Sequence, residues 1–252
     1  MKRRILLVSA LLGLTIAGCS SNPDSPDEGL KFSQVELMYE QAKEQLEMGN
    51  LNLAEEQLSA LNSRYPFGPF AHQVQLDLIY VHYKLDNTDE ALAAIDRFIS
   101  LNPNHSDVDY ALYMRGLVNQ RAEYNAIQEI AGIDRSDRDS TMAQEAFKDF
   151  AELLRKFPDS KYTADAKQRM IALKSRLAKK ELAVARYYME RQAYLAAANR
   201  GRYVVEHFSD MPEVENALAI MVESYQQLGL DELRADALAV LRTNYPRNRL
   251  VN

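Results

Sequence analysis

An all-α fold of stacked helix pairs is what this sequence predicts, and three observations carry the prediction. From Phe32 onward the chain is dense in Ala, Leu, Glu, Lys, Gln and Arg, and no run alternates apolar and polar residues as a strand would. The prolines Pro66, Pro69, Pro103, Pro158, Pro212 and Pro246 mostly close such stretches after an aromatic or polar residue. Proline cannot continue a helix, so these positions read as stops. The third observation is a fixed spacing: Ala42, Ala54 and Pro66 stand twelve apart in succession, as do Ile79, Ala91 and Pro103, and Ala185, Ala197 and Ser209.

A turn falls midway in each unit, at Gly49-Asn50, Asp86-Asn87, Arg191-Gln192 and Gly229-Leu230, while Tyr65, Phe157, Phe208 and Tyr245 precede the stops. This is the register of the tetratricopeptide repeat, two antiparallel helices in about 34 residues. Small side chains let the paired axes approach to about 8 to 10 Å. One pair cannot bury its apolar face alone, so the units stack into a superhelix of about five pairs.

Taken in chain order, the amino terminus comes first. Lys2, Arg3 and Arg4 precede an apolar run from Ile5 to Ile16, and Ala17-Gly18 leads directly into Cys19, the single cysteine. This pattern predicts a lipoprotein signal peptide over residues 1–18, since the run is too short to span a bilayer. The small pair before cysteine resembles the bacterial lipobox, whose processing would leave Cys19 with an S-diacylglycerol and an N-acyl chain. Each buried methylene contributes about 0.8 kcal/mol, so several chains together give a durable anchor. Ser20 stands where aspartate would favour the inner membrane, which points to the outer membrane and its periplasmic side. Residues 19–31, polar and bearing Pro23 and Pro26, are expected to form a flexible tether.

The repeat domain then occupies residues 32–252, with units expected at about 33–67, 70–104, 106–159, 161–210 and 212–247. In the third, Gly116 precedes Ala146 by thirty residues instead of twelve, so about eighteen are inserted, including Ile130 to Ile133 and the alternating charges of Asp134 to Asp139. No breaker interrupts Lys161 to Glu190, which predicts one long first helix in the fourth unit. Arg234 replaces the expected alanine in the fifth, as suits a terminal unit of relaxed geometry.

The residues argue for binding over catalysis. His72, His82, His105 and His207 share no ligand spacing, and neither a phosphate loop nor a Gly-x-Ser-x-Gly elbow occurs. No cofactor is expected beyond the lipid on Cys19. Loss of the three signal-peptide cations takes the net charge from −6 to −9, which disfavours nucleic acid as a partner. Arg64-Tyr65-Pro66-Phe67-Gly68-Pro69-Phe70 gathers three aromatics at the first inter-unit turn, either to pack the turn or to touch a peptide. Tyr80, Tyr83, Tyr110, Tyr113 and Tyr124 lie on first helices, which face the concave side of such superhelices, as core or as peptide anchors. Arg97 and Arg115 could grip a peptide carboxylate with a bidentate fork, or pair within the chain with Asp77, Asp96 or Asp109.

Several long blocks resemble one family. Arg64 to Pro69, Val74 to Tyr80, Ala94 to Ile99, Tyr113 to Leu117, Asp134 to Asp139, Leu173 to Lys179 and Tyr187 to Arg191 are similar to the BamD family, also described as ComL or YfiO. These are lipoproteins of the outer-membrane β-barrel assembly machinery. The resemblance implies a non-catalytic subunit that binds BamA, BamC and BamE and reads the C-terminal signals of unfolded outer-membrane proteins. It implies a substrate site around Tyr65, Phe67, Asp77, Tyr80, Arg97, Tyr113 and Arg115, and a BamA-facing surface around Arg200. A pilotin-like repeat lipoprotein serving secretin or pilus assembly, and a periplasmic cell-wall hydrolase, are the alternatives.

Overall fold

The computed structural model describes residues 26–128 and 141–251. Among these residues there are ten α-helices and no strand: α1 (Pro26–Glu47), α2 (Leu51–Arg64), α3 (Ala71–Lys84), α4 (Thr88–Leu101), α5 (Val108–Gln128), α6 (Thr141–Lys156), α7 (Thr163–Glu190), α8 (Tyr194–His207), α9 (Val214–Leu228) and α10 (Asp231–Asn244). They form five antiparallel pairs in a tetratricopeptide superhelix. Cys19, Ile130 to Ile133 and Asp134 to Asp139 lie outside the described residues.

One hydrogen-bond pattern turns the chain within a pair. At the first turn the Gly49 N–H donates to the Leu46 carbonyl and the Asn50 N–H to Gln45. The same two bonds recur at Asp86 and Asn87, at Gln192 and Ala193, and at Gly229 and Leu230. This is the Schellman closure, which needs one left-handed residue to satisfy the last carbonyls of a helix. Gly49 (φ 79°) and Gly229 (φ 67°) adopt that conformation readily, while Asp86 (φ 62°) and Gln192 (φ 61°) hold it despite a Cβ.

A second pattern turns the chain between pairs. The Tyr65 N–H donates to Leu61, Gly68 to Tyr65 and Ala71 to Gly68, and the triplet recurs at 102/105/108, 157/160/163, 208/211/214 and 245/248/251. Proline stops recur beside these turns.

The spacing of small residues has a direct packing consequence. Ala42, Ala54, Ala91, Ala146, Ala185 and Ala197 are completely buried, as is Ile79. Two glycines bring helices closer still. A Cβ on Gly201 would stand 2.9 Å from the Ala217 carbonyl oxygen, and one on Gly116 would stand 2.5 Å from the Phe150 ring. First helices also approach one another, α3 with α5 and α7 with α9, whereas no two second helices make comparable contact. First helices therefore form the inner row of the superhelix and second helices the splayed outer row.

Two features revise the expected organisation and a third agrees with it. α1 begins at Pro26, inside the stretch expected to be tether, because proline suits the first helical turn. Part of the inserted sequence in the third unit is helical, since α5 runs 21 residues to Gln128 against 14 for α3. α7 is one unbroken helix of 28 residues, as the lack of breakers implies. Its first half puts Ala166 and Leu173 into a core shared with α3 to α6, and its second half puts Ala178, Leu182 and Ala185 into another shared with α8 and α9.

Candidate peptide-binding surface

The inner row carries a band of rings and carboxyls. Phe70 stacks on Tyr39 at 5.0 Å between centroids, and the Tyr39 hydroxyl donates to Asp77 Oδ2 at 2.8 Å. Gln73 Nε2 donates to the other oxygen at 2.9 Å. Burial pushes the Asp77 carboxyl above its ordinary range, against the pull of these two donors. Tyr39 is raised too, by burial and then by its bond to Asp77.

Two units along, the arrangement recurs. Tyr162 stacks on Tyr113 at 4.7 Å, and the Tyr113 hydroxyl donates to Asp165 Oδ2 at 2.6 Å. Burial and that bond push the Tyr113 hydroxyl up to about 12. Burial works to raise Asp165 as well, but donation from Tyr113 and Arg169 outweighs it and the carboxyl is held low. Between the two motifs lies Tyr110, raised by burial first and then by Tyr162, Asp77 and Tyr80, which places these groups in one electrostatic neighbourhood. Tyr80 is half-buried against the middle core, with Lys84 Nζ 6.0 Å from its ring centroid. Tyr83 carries Arg121 over its ring at 5.1 Å, and the side chain of Tyr124 lies outside the described residues.

The expected substrate residues therefore divide. Asp77, Tyr80 and Tyr113 belong to the inner band. Tyr65 is half-buried at the edge of the first core with Arg64 5.6 Å from its ring centroid, while the neighbouring Phe67 is 95% exposed. At the equivalent step of the other three inter-unit turns stand Asn104, Asp159 and Asp210, and in the turn after the last pair Arg247. A packing role would not single out the first turn for an exposed ring.

Arg97 and Arg115 have opposite environments. Arg97 is an exposed cation on α4 that makes no salt bridge among the described residues. Arg115 donates through Nε to Asp149 Oδ1 at 2.7 Å, through Nη1 to Asp96 Oδ1 at 3.2 Å and through Nη2 to Glu152 Oε2 at 2.8 Å. Asn119 completes the cluster by donating to Asp149 Oδ2 at 2.7 Å. Three carboxylates around one guanidinium leave a negative field there, so the free carboxylate fork expected of Arg115 is replaced by pairing within the chain. The Asp96 partner was among those the sequence suggested; Asp149 and Glu152, on the helix beyond the insertion, were not.

Arg200 lies on α8, where its Nη1 donates to Glu181 Oε2 of α7 at 3.0 Å with 44% of the arginine side chain exposed. It can thus offer further donors outward.

Sequence reasoning missed Tyr39, Tyr162, Asp165 and Arg169. A signal existed: Tyr39 stands three residues before Ala42 and Tyr113 three before Gly116, the same register position. Phe70 and Tyr162 likewise hold matching places after the inter-unit turns. Both oxygens of Asp77 accept hydrogen bonds from neighbours, which suits a positioning and contact surface. No cluster of three or more metal-ligating side chains occurs among the described residues. No described helix is long and apolar enough to cross a membrane.

Comparison with known proteins follows the same extent of chain. A family described as an outer membrane lipoprotein, YfiO, matches residues 33–241. An outer membrane protein assembly factor BamD of Neisseria meningitidis serogroup A is 43% identical over 251 residues, covering 98% of this chain and 93% of the relative. The BamD of Vibrio cholerae serotype O1 is 45% identical over 227 residues, covering 89% of this chain and 92% of its own length. That of Xylella fastidiosa strain Temecula1 is 34% identical, with 96% of this chain and 83% of the relative covered. With the match running through all five helix pairs, this chain belongs to the YfiO family of outer membrane lipoproteins.

Proposed function

We propose that the protein is a non-catalytic, lipid-anchored subunit of the outer-membrane β-barrel assembly machinery. It binds BamA, together with BamC and BamE, and presents the C-terminal segments of unfolded outer-membrane proteins for insertion. The observation that carries this reading is near-full-length similarity to outer membrane protein assembly factors at 43 to 45% identity.

The physical chemistry of the chain is consistent with an anchored peptide-contacting subunit. Cys19 supplies the thiol that lipid would modify, holding the domain at the periplasmic side of the outer membrane, with no other cofactor. The aromatic inner band offers large, rigid contact area and hydroxyl groups at low entropy cost, as surfaces for extended peptides do. Tyr65, Phe67, Asp77, Tyr80 and Tyr113 contribute to substrate contact from the first three units. Arg115 acts there as a structural tie between α4, α5 and α6. Arg200, in the fourth unit, faces BamA.

Affinity capture of the full lipidated chain from native outer membranes tests the assignment. Recovery of BamA is expected, and Arg200→Glu is expected to reduce it at least several-fold while circular dichroism stays unchanged. Recovery of a secretin without BamA would overturn the assignment. Unchanged BamA recovery by the variant would remove Arg200 from the interface.

A further inference from the structure

The two ring-and-carboxyl motifs of the inner band differ in charge. Asp165 accepts from the Tyr113 hydroxyl and from the guanidinium of Arg169, which also donates to Gln120 Oε1 at 2.8 Å. That motif is neutral as a unit. Asp77 accepts from neutral donors only, the Tyr39 hydroxyl at 2.8 Å and the Gln73 amide at 2.9 Å, and makes no salt bridge among the described residues. Lys43 of α1 acts on it more weakly than either hydrogen bond.

Register along the superhelix isolates Asp77 further. Counted from the turns at Gly68, His105, Ser160 and Met211, its place is taken by Met114 in the third unit, Arg169 in the fourth and Ile220 in the fifth. Met114 and Ile220 are buried there, so packing at this place calls for no acid. Burial pushes the Asp77 carboxyl above its ordinary range although two neutral donors pull the other way, and a cation would relieve the charge where they do not. Rings stand close by. Tyr80 follows Asp77 by three residues on α3 and so shares its face of the helix, and Tyr110 of α5 senses both groups, after burial and Tyr162. Tyrosine faces attract ammonium and guanidinium groups, and Lys84 Nζ already lies 6.0 Å from the Tyr80 ring centroid.

We propose that Asp77, with the rings of Tyr80 and Tyr110, is a specificity-determining site for a cationic side chain, lysine or arginine, within the extended peptide. The carboxylate accepts from the ammonium or guanidinium on lone pairs that Tyr39 and Gln73 leave open, while the rings cover the alkyl stem. A hydroxyl or amide would add only a third neutral donor, and an acidic side chain would be repelled. The motif at Tyr113, already neutralised by Arg169, imposes no such charge on the residue it meets. The assignment rests on the peptide-reading function above and adds the side-chain chemistry that the second unit selects.

The test uses the full lipidated chain in detergent micelles and labelled, amino-terminally acetylated peptides of about nine residues that share one aromatic-rich sequence. A single lysine is moved through the internal positions, and each peptide is paired with its norleucine analogue, which keeps the stem and loses the charge. Fluorescence anisotropy is expected to show, at one or more positions, lysine binding about tenfold more tightly than norleucine. Asp77→Asn, which keeps the shape and an acceptor for Tyr39, is expected to remove that preference by weakening the lysine peptide alone. Asp89→Asn, which takes the same charge from the exposed start of α4, is expected to leave the preference in place. Circular dichroism controls for folding. Equal binding of lysine and norleucine at every position, or a preference that survives Asp77→Asn, overturns the site. If in that case Tyr113→Ala still weakens binding, peptide reading stands and only the selection of charge fails. If the peptides bind in no form, both fall, while BamA capture judges the assembly role separately.

Discussion

Residues of one type, close in sequence, acquire different work from the helices that surround them. Arg97 and Arg115 look equivalent as candidate carboxylate ligands, yet among the described residues one makes no salt bridge on the outer row and the other is held by Asp96, Asp149 and Glu152. Two of the three partners come from α6, beyond the insertion, so no local pattern around Arg115 could identify them. Gly116 shows the reverse case, where a single residue type states its environment. It occupies the position of Ala42 in the first unit, and a Cβ there would lie 2.5 Å from the fully buried Phe150 ring. Because that ring cannot swing into solvent, Gly116→Ala is expected to destabilise the fold by about 1 to 3 kcal/mol. A lowered denaturant midpoint with an unchanged slope would report it, and an unchanged midpoint would show that the α5–α6 interface can open at no cost.

At the level of elements, helix boundaries follow from chemistry that repeats. Proline beside an aromatic or polar residue marks the four inter-unit turns and the turn after the last pair, and one left-handed residue marks the turns at Gly49, Asp86, Gln192 and Gly229. Two of those four carry a Cβ in a conformation that disfavours one. Asp86 has a compensating partner, since its carboxylate pairs with Arg121. Gln192 carries no such ion pair and is exposed, so Gln192→Gly is expected to stabilise the protein by about 0.5 to 1 kcal/mol. A higher thermal midpoint checks this, and a lower one would mean that the glutamine side chain contributes more than its backbone strain costs. The start of α1 was less legible, because Pro23 and Pro26 look alike as breakers while Pro26 sits where a proline begins a helix. The length of α5 escaped for a related reason: an insertion that breaks the repeat spacing says nothing about whether its first residues continue the helix.

Across the whole molecule, the repeat made the architecture readable while the functional surface was readable only in part. Stacking puts Asp77, Tyr80 and Tyr113 on one inner band, as their place on first helices suggests, and joins to them Tyr39, Tyr162 and Asp165 from units before and after. Such groups converge across 38 to 52 residues of sequence, so their partnership depends on the superhelix and not on a motif. α7 runs about 42 Å at 1.5 Å per residue and enters both the middle and the carboxy-terminal cores, which joins the second and third units to the unit that bears Arg200. The proposed function divides the work along this body: unfolded substrate at the first three units, BamA at the fourth. Photo-crosslinking in native outer membranes, with the reactive side chain placed at Phe67, at Tyr80 or at Arg200, tests it most directly. Nascent outer-membrane proteins are expected to be captured from Phe67 and Tyr80, and BamA from Arg200. Capture of BamA from all three positions, with substrate from none, would contradict it.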